Sequence, residues 1–274
     1  MSLSKFKLFL FVSILSASLF SSCSKYQKLL KSTDYEKKYD AAVIYYNDKD
    51  YYKAQPLLEE LVSIYKGTKK AEKIYYYYAY CHYAQGEYEL ASYHFDNFVK
   101  TFSNSELAEE CMYMKAYCYY LDSPTASLDQ TNTYKAINEM QMFVNQYTQS
   151  TRVKECNELM DGLRNKLETK NFDNAKLYYN MEDYKSAIYA LKNVLKDFPD
   201  TKYREESLFL IMKANYLYAN NSIDTKKAER YHSAIDAHNV LIETYPKTKY
   251  LKDAENIFDN ALKQIEKLKS ITRS

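Results

Sequence analysis

The cysteine at position 23 is the one side chain whose neighbours specify a reaction. Lys5 and Lys7 precede an apolar stretch from Leu8 to Phe20, which ends in Phe20-Ser21-Ser22-Cys23. A charged start, a short hydrophobic middle and small residues before a cut read as a secretory signal over residues 1–22. Roughly thirteen apolar or small residues are too few for a permanent membrane-spanning helix. A cysteine right after the small pair is the bacterial lipoprotein arrangement, in which the Cys23 sulfur is acylated and Cys23 becomes the first residue. The usual leucine three places before the cysteine is displaced to Leu19, with Phe20 in its place. An ordinary signal peptide with a chance cysteine is the plainer alternative. Several acyl chains, at about 0.8 kcal/mol per buried methylene, hold a protein on a bilayer where one does not. No second hydrophobic stretch follows, so the covalent lipid on Cys23 is the expected anchor and no other cofactor is expected.

The remaining reactive side chains form no catalytic pattern. Gly67, Gly86 and Gly162 are isolated, so there is no phosphate-binding loop. The histidines are His82, His94, His232 and His238, and none begins a zinc-protease helix motif. His232 and His238 stand six apart, which is not a same-face ligand spacing; His238 reads as a packed core residue. Carboxylate pairs such as Glu59-Glu60 and Glu109-Glu110 read as solvated helix faces. Cys81, Cys111, Cys118 and Cys156 read as buried free thiols, with a Cys81–Cys118 disulfide the geometrically conceivable alternative. No enzyme is expected.

Losing Lys5 and Lys7 with the leader leaves 36 basic and 36 acidic side chains, interleaved and neutral in sum. That balance argues against a nucleic-acid partner, which demands a basic face. Three glycines and four prolines leave few tight turns, so the chain is expected to be nearly all helix.

The elements that must carry any site are repeats. With Ala54, Ala91, Ala136, Ala187 and Ala234 as origins, an aromatic precedes each by two or three residues: Tyr51, Tyr88, Tyr134, Tyr184 and Tyr231. Four places on stand Leu58, Phe95, Met140, Leu191 and His238, and seven places on Leu61, Phe98, Phe143, Val194 and Leu241. Eleven places on, all five are aromatic (Tyr65, Phe102, Tyr147, Phe198, Tyr245); fourteen places on, all carry hydroxyls (Thr68, Ser105, Ser150, Thr201, Thr248). Offsets of 0, 4, 7 and 11 share one helix face. The hydroxyl is expected to be the N-cap of the next helix. Each preceding helix carries its own stripe: 35–47, 71–85, 106–121, 165–181 and 203–219.

A helix pair with a small residue early in its second helix resembles the tetratricopeptide repeat, most clearly at Gly86-Glu87-Tyr88-Glu89-Leu90-Ala91 and Asp183-Tyr184-Lys185-Ser186-Ala187. The expected fold class is all-α, a tetratricopeptide-repeat solenoid of five helix pairs with a C-terminal capping helix. The origins are 37, 45, 51 and 47 apart, and the excess over about 34 is assigned to three places. These are the loops 122–131 and 220–227 and a long helix over 151–180 with Gly162 as its weak point. The expected organisation is residues 1–22 signal, 23–33 lipidated cysteine and short tether, 34–150 repeats one to three, and 151–274 long helix, repeats four and five and cap. A ten-residue tether reaches at most roughly 35 Å.

Tyrosine is the outlying composition entry, 32 residues beside no tryptophan. Packing between helices is the default use of these rings. The usual repeat geometry also places Tyr39, Val43, Tyr46, Asn47, Tyr76, Tyr80 and Tyr83 on an inner groove, where phenol rings suit an extended or helical peptide. Alanine at both Tyr46 and Tyr80 is expected to weaken peptide binding without unfolding the protein.

The lipid cysteine, the spacing and the inserts together resemble the BamD family, tetratricopeptide lipoproteins of the outer-membrane β-barrel assembly machinery, and most of all its Bacteroidetes members. The segments carrying this are residues 23–30, Ala79-Tyr80-Cys81-His82-Tyr83, Ala116-Tyr117-Cys118-Tyr119-Tyr120-Leu121-Asp122-Ser123-Pro124, 183–187 and 249–255. The resemblance implies a non-enzymatic protein on the periplasmic face of the outer membrane. It implies docking, through the later repeats, on the periplasmic domains of a BamA-type barrel subunit. It further implies that the first repeats receive the aromatic-rich C-terminal signal of unfolded β-barrel outer-membrane proteins. Ser24 suits outer-membrane sorting, and residues 24–30 lack an acidic surface-export run. Other classes are a periplasmic tetratricopeptide lipoprotein scaffolding cell-wall or secretion machinery, and the helical module of a protease or a glycan-binding lipoprotein. The last two are disfavoured by the missing metal motif and the absence of tryptophan.

Overall fold

The computed structural model describes residues 25–273, with side chains to 270; Cys23 and the leader lie outside the described residues. Every element among the described residues is helical. After α1 (25–30) come α2 (Tyr35–Asn47), α3 (Tyr51–Ile64), α4 (Ala71–Ala84), α5 (Tyr88–Thr101), α6 (Ala108–Leu121) and α7 (Thr131–Gln146). Then follow α8 (Val153–Asn180), α9 (Tyr184–Asp197), α10 (Arg204–Asn220), α11 (Asp224–Thr244) and α12 (Leu251–Arg273). The fold class is all-α, built from tetratricopeptide-type helix pairs. They form two compact units: unit 1 takes residues up to 124 and 131–160, unit 2 takes 125–130 and 161 onward. Helix α8 contributes its first residues to unit 1 and the rest to unit 2.

The repeat columns are the cores of these units. All five origin alanines are buried, as are Leu58, Phe95, Met140 and Leu191 four places on and the whole column seven places on. His238 is the exception: it is half-buried and stacks on Phe258 at 4.4 Å. The aromatic eleven places on stands just past its helix, its amide donating to the carbonyl of the residue four before it, as in Phe198 to Val194 at 2.9 Å. The hydroxyl residue then opens a separate turn. Its own amide bonds the aromatic's carbonyl, as in Thr201 to Phe198 at 3.1 Å, and in every repeat but the first its Oγ accepts the amide two residues later, as in Tyr203 to Thr201 at 3.1 Å. The helix N-cap falls two residues beyond the hydroxyl, at Lys70, Leu107 and Tyr203, which corrects the expected position of the cap.

Within repeats one, two and four, the turn between helices is a Schellman motif. The Asp183 amide reaches the Tyr178 carbonyl and the Glu182 amide the Tyr179 carbonyl, each at 3.0 Å. The same two bonds close α2 at Asp50 and Lys49, and α4 at Glu87 and Gly86. The position before the next helix must be left-handed: φ is 61° at Lys49, 78° at Gly86 and 62° at Glu182. Only Gly86 meets this without a Cβ penalty. Glu182→Gly is therefore expected to raise the stability of unit 2 by about 0.5–1 kcal/mol, read as a higher urea midpoint at unchanged slope.

One insert and the tether differ from expectation. Residues 122–130 form a loop, but 224–230 extend α11 backwards from Tyr231, so the second insert is mostly helix. Residues 25–30, expected as tether, are helical and dock on repeat one, because Leu29 and Leu30 join the cluster around Ala42, Ala54 and Leu57. Lys38, 1% exposed, holds that docking: its Nζ donates to the Leu30 carbonyl at 2.9 Å and pairs with Glu60 at 2.5 Å.

Candidate functional site

In unit 1, tyrosines of α2 and α4 meet ring to ring, and α6 carries a row of its own. Helix periodicity explains the alignment, because Tyr76, Tyr80 and Tyr83 lie at same-face spacings on α4, as do Tyr113, Tyr117 and Tyr120 on α6. Tyr46 lies 4.1 Å from Tyr77 and 5.7 Å from Tyr51. Tyr76 lies 4.7 Å from Tyr80, and Tyr80 and Tyr83 meet edge-on at 6.0 Å. Tyr113, Tyr117 and Tyr120 stack nearly parallel, at 5.5 and 5.6 Å between successive rings.

Of the residues expected in the groove, Tyr46, Tyr76, Tyr80 and Tyr83 are partly buried and belong to the ring contacts of α2 and α4. Tyr39 is turned to other partners, with Tyr65 at 6.3 Å and the Lys70 ammonium 4.6 Å over its ring. Val43 is half-buried, and Asn47 is exposed at the end of α2. Tyr77, Tyr117 and Tyr120 were not expected there, though the three-residue spacing on α6 was visible; Tyr113, which continues their row, is a buried core residue.

The rings also serve as packing. Tyr80 sits edge-on to Phe95 at 5.0 Å, and its hydroxyl donates to Glu110 at 2.5 Å. Glu110 takes Arg152 at 2.5 Å; that guanidinium lies 4.0 Å over the Tyr113 ring, and the Tyr113 hydroxyl donates to Glu155 at 2.9 Å. Burial raises the pKa of Tyr46 and Tyr76, and burial with the Glu110 carboxylate raises that of Tyr80. These phenols stay protonated, so the surface offers ring faces and hydroxyl donors and no base. The double alanine change at Tyr46 and Tyr80 would remove these packing contacts together with the ring faces.

Nothing else described gathers catalytic groups. Among the described residues no cluster of three or more His, Cys, Asp or Glu could hold a metal ion. His82 and His94 stack at 4.9 Å beneath Tyr78, and the His82 Nδ1 meets Glu87 at 2.6 Å. Burial beside His82 pushes the His94 pKa down to about 4. Cys81, Cys111, Cys118 and Cys156 are free and buried, and burial raises each thiol's pKa. In unit 2 a cleft of about 790 Å³ between α11 and α12 is lined by Asp224, Lys227, His232, Gln264, Ile265 and Lys267, among others, remote in sequence from the tyrosines.

Helix pairs repeated along the chain, with partly buried tyrosines on successive helices, make this a tetratricopeptide-type helical scaffold in class. No helix among the described residues is long and apolar enough to cross a membrane. The chain belongs to the YfiO family of outer membrane lipoproteins, the BamD-like group, whose sequence profile matches residues 31–230. No curated protein matches the chain. Among solved structures, a complex of yeast Sti1, titled TPR2AB-domain with pHSP90, superposes with a TM-score of 0.40 at 12% identity, covering 83% of this chain and 98% of that one.

Proposed function

We propose that this chain is the BamD-type lipoprotein, of the Bacteroidetes kind, of a β-barrel assembly machine, held by lipid on Cys23 at the periplasmic face of the outer membrane. It docks on the periplasmic domains of a BamA-type barrel subunit and helps recognise and insert unfolded β-barrel outer-membrane proteins. The observation that carries the reading is the family membership over 31–230. The partly buried tyrosines of α2, α4 and α6 support it, since such rings with protonated hydroxyls suit an aromatic-rich extended segment. Its role is binding and positioning, with no bond made or broken by the chain.

The test is a gentle detergent pull-down of the tagged lipoprotein from envelopes, with partners identified by mass spectrometry. A BamA-type barrel at near-equal amounts is expected. Recovery of cell-wall or secretion proteins without it overturns the assembly role while leaving the fold intact. Cys23→Ala is expected to move the protein from the membrane fraction to the soluble periplasm; a variant still pelleting with membranes removes the lipid from the proposal.

A further inference from the structure

The docked helix α1 fixes where an acyl chain on Cys23 would leave the molecule. Lys25 opens the described helix two residues after Cys23, a reach of at most about 7 Å. Tyr26 is held by two neighbouring elements: its ring meets Tyr45 of α2 edge-on at 5.7 Å, and its hydroxyl donates to the Lys53 carbonyl of α3 at 3.0 Å. Next in sequence to Tyr45 and Lys53 stand Ile44 and Tyr52, large side chains that are 58% and 77% exposed. On α1 and just after it, Lys25, Lys28 and Lys31 are exposed, and residues 24–33 carry no acid. Among the described residues none of these three lysines is ion-paired, whereas the nearby Asp50 is paired with Lys53.

We propose that this end of unit 1 rests on the phospholipid headgroups, with Ile44 and Tyr52 entering the interface and Lys25, Lys28 and Lys31 meeting lipid phosphates. The inference rests on lipidation of Cys23. A few residues between the acyl chains and a docked helix leave no length for the protein to stand away from the bilayer. An amphipathic ring and an aliphatic side chain beside lysines are the composition that binds an interface. The lipid then orients repeat one as well as tethering it.

The chain has no tryptophan, so Tyr52→Trp in the acylated full chain is a single emitter. It is placed in vesicles of phosphatidylethanolamine and phosphatidylglycerol. The expected result is a blue-shifted emission quenched by lipids brominated near the headgroup, while Tyr189→Trp on exposed α9 emits as in water. Charge reversal of Lys25, Lys28 and Lys31 to glutamate is expected to abolish the blue shift while the chain still floats with the vesicles. A floating chain whose Tyr52→Trp emission is water-like and unquenched overturns the headgroup contact alone. A chain that does not float overturns the anchor on Cys23 and this contact with it.

Discussion

Tyr80→Ala is expected to lower the stability of unit 1 by about 3 kcal/mol, in the range for truncating a packed aromatic ring. The ring is lost from contact with Tyr76, Tyr83 and Phe95, and Phe95 is wholly buried. Glu110 also loses its phenol donor, though Arg152 remains on the carboxylate. Tyr80→Phe keeps every ring contact and should cost only about 1 kcal/mol, the worth of one hydrogen bond to a charged group that retains another partner. Urea unfolding of the two variants checks this: a midpoint for Tyr80→Ala no lower than that of Tyr80→Phe would show that the ring is not structural. The consequence for function is practical. A loss of peptide binding in Tyr80→Ala would not distinguish a missing contact from a loosened repeat, whereas a loss in Tyr80→Phe would point to the hydroxyl.

The tyrosine surface shows how far residue spacing carries. A side chain's face on its helix follows from 3.6 residues per turn, so the buried columns at Ala54, Ala91, Ala136, Ala187 and Ala234 were legible before any coordinates. What the period cannot tell is whether a half-buried ring faces a groove or the next helix. Tyr39 turns to Tyr65 and Lys70 for that reason, and Tyr77, one residue from an assigned position, proves to be the ring nearest Tyr46. Left-handed turn positions were legible only where glycine marks them: Gly86 was, while Lys49 and Glu182 hold the same conformation with ordinary side chains. The docking of α1 was missed because its two leucines and one tyrosine are too short a run to read as an element. The carboxylates that tie a repeat's end to its own first helix were missed because no local spacing joins residues so far apart in sequence. Glu72, Glu168 and Glu205 each stand on a first helix and accept from the hydroxyl that ends the same repeat, across 33, 33 and 43 residues. Where the hydroxyl does not reach, Lys70 pairs with Glu36 and Arg152 with Glu110.

Those carboxylates make the second large prediction. Thr201 donates to Glu168 at 2.6 Å, and both residues are more than nine-tenths buried. The same carboxylate oxygen accepts the Lys202 amide at 3.1 Å, while the Thr201 hydroxyl accepts the Tyr203 amide. Thr201→Val preserves shape but removes a donor from a buried charge and an acceptor from a backbone amide, which should cost unit 2 about 2–3 kcal/mol. Thr201→Ser keeps both bonds and should lose well under half as much. Thr68→Val is the contrasting case, since the exposed Thr68 hydroxyl bonds only the Tyr65 carbonyl at 2.7 Å, and it should cost less than about 1 kcal/mol. Equal losses for Thr201→Val and Thr68→Val would show that the hydroxyl acts through its turn alone. The predicted inequality would instead make the buried carboxylate the tie that holds the end of repeat four to its own first helix. Because the later repeats are the part proposed to dock on the barrel subunit, Thr201→Val is also expected to weaken that docking while the tyrosine surface of unit 1 keeps its peptide affinity.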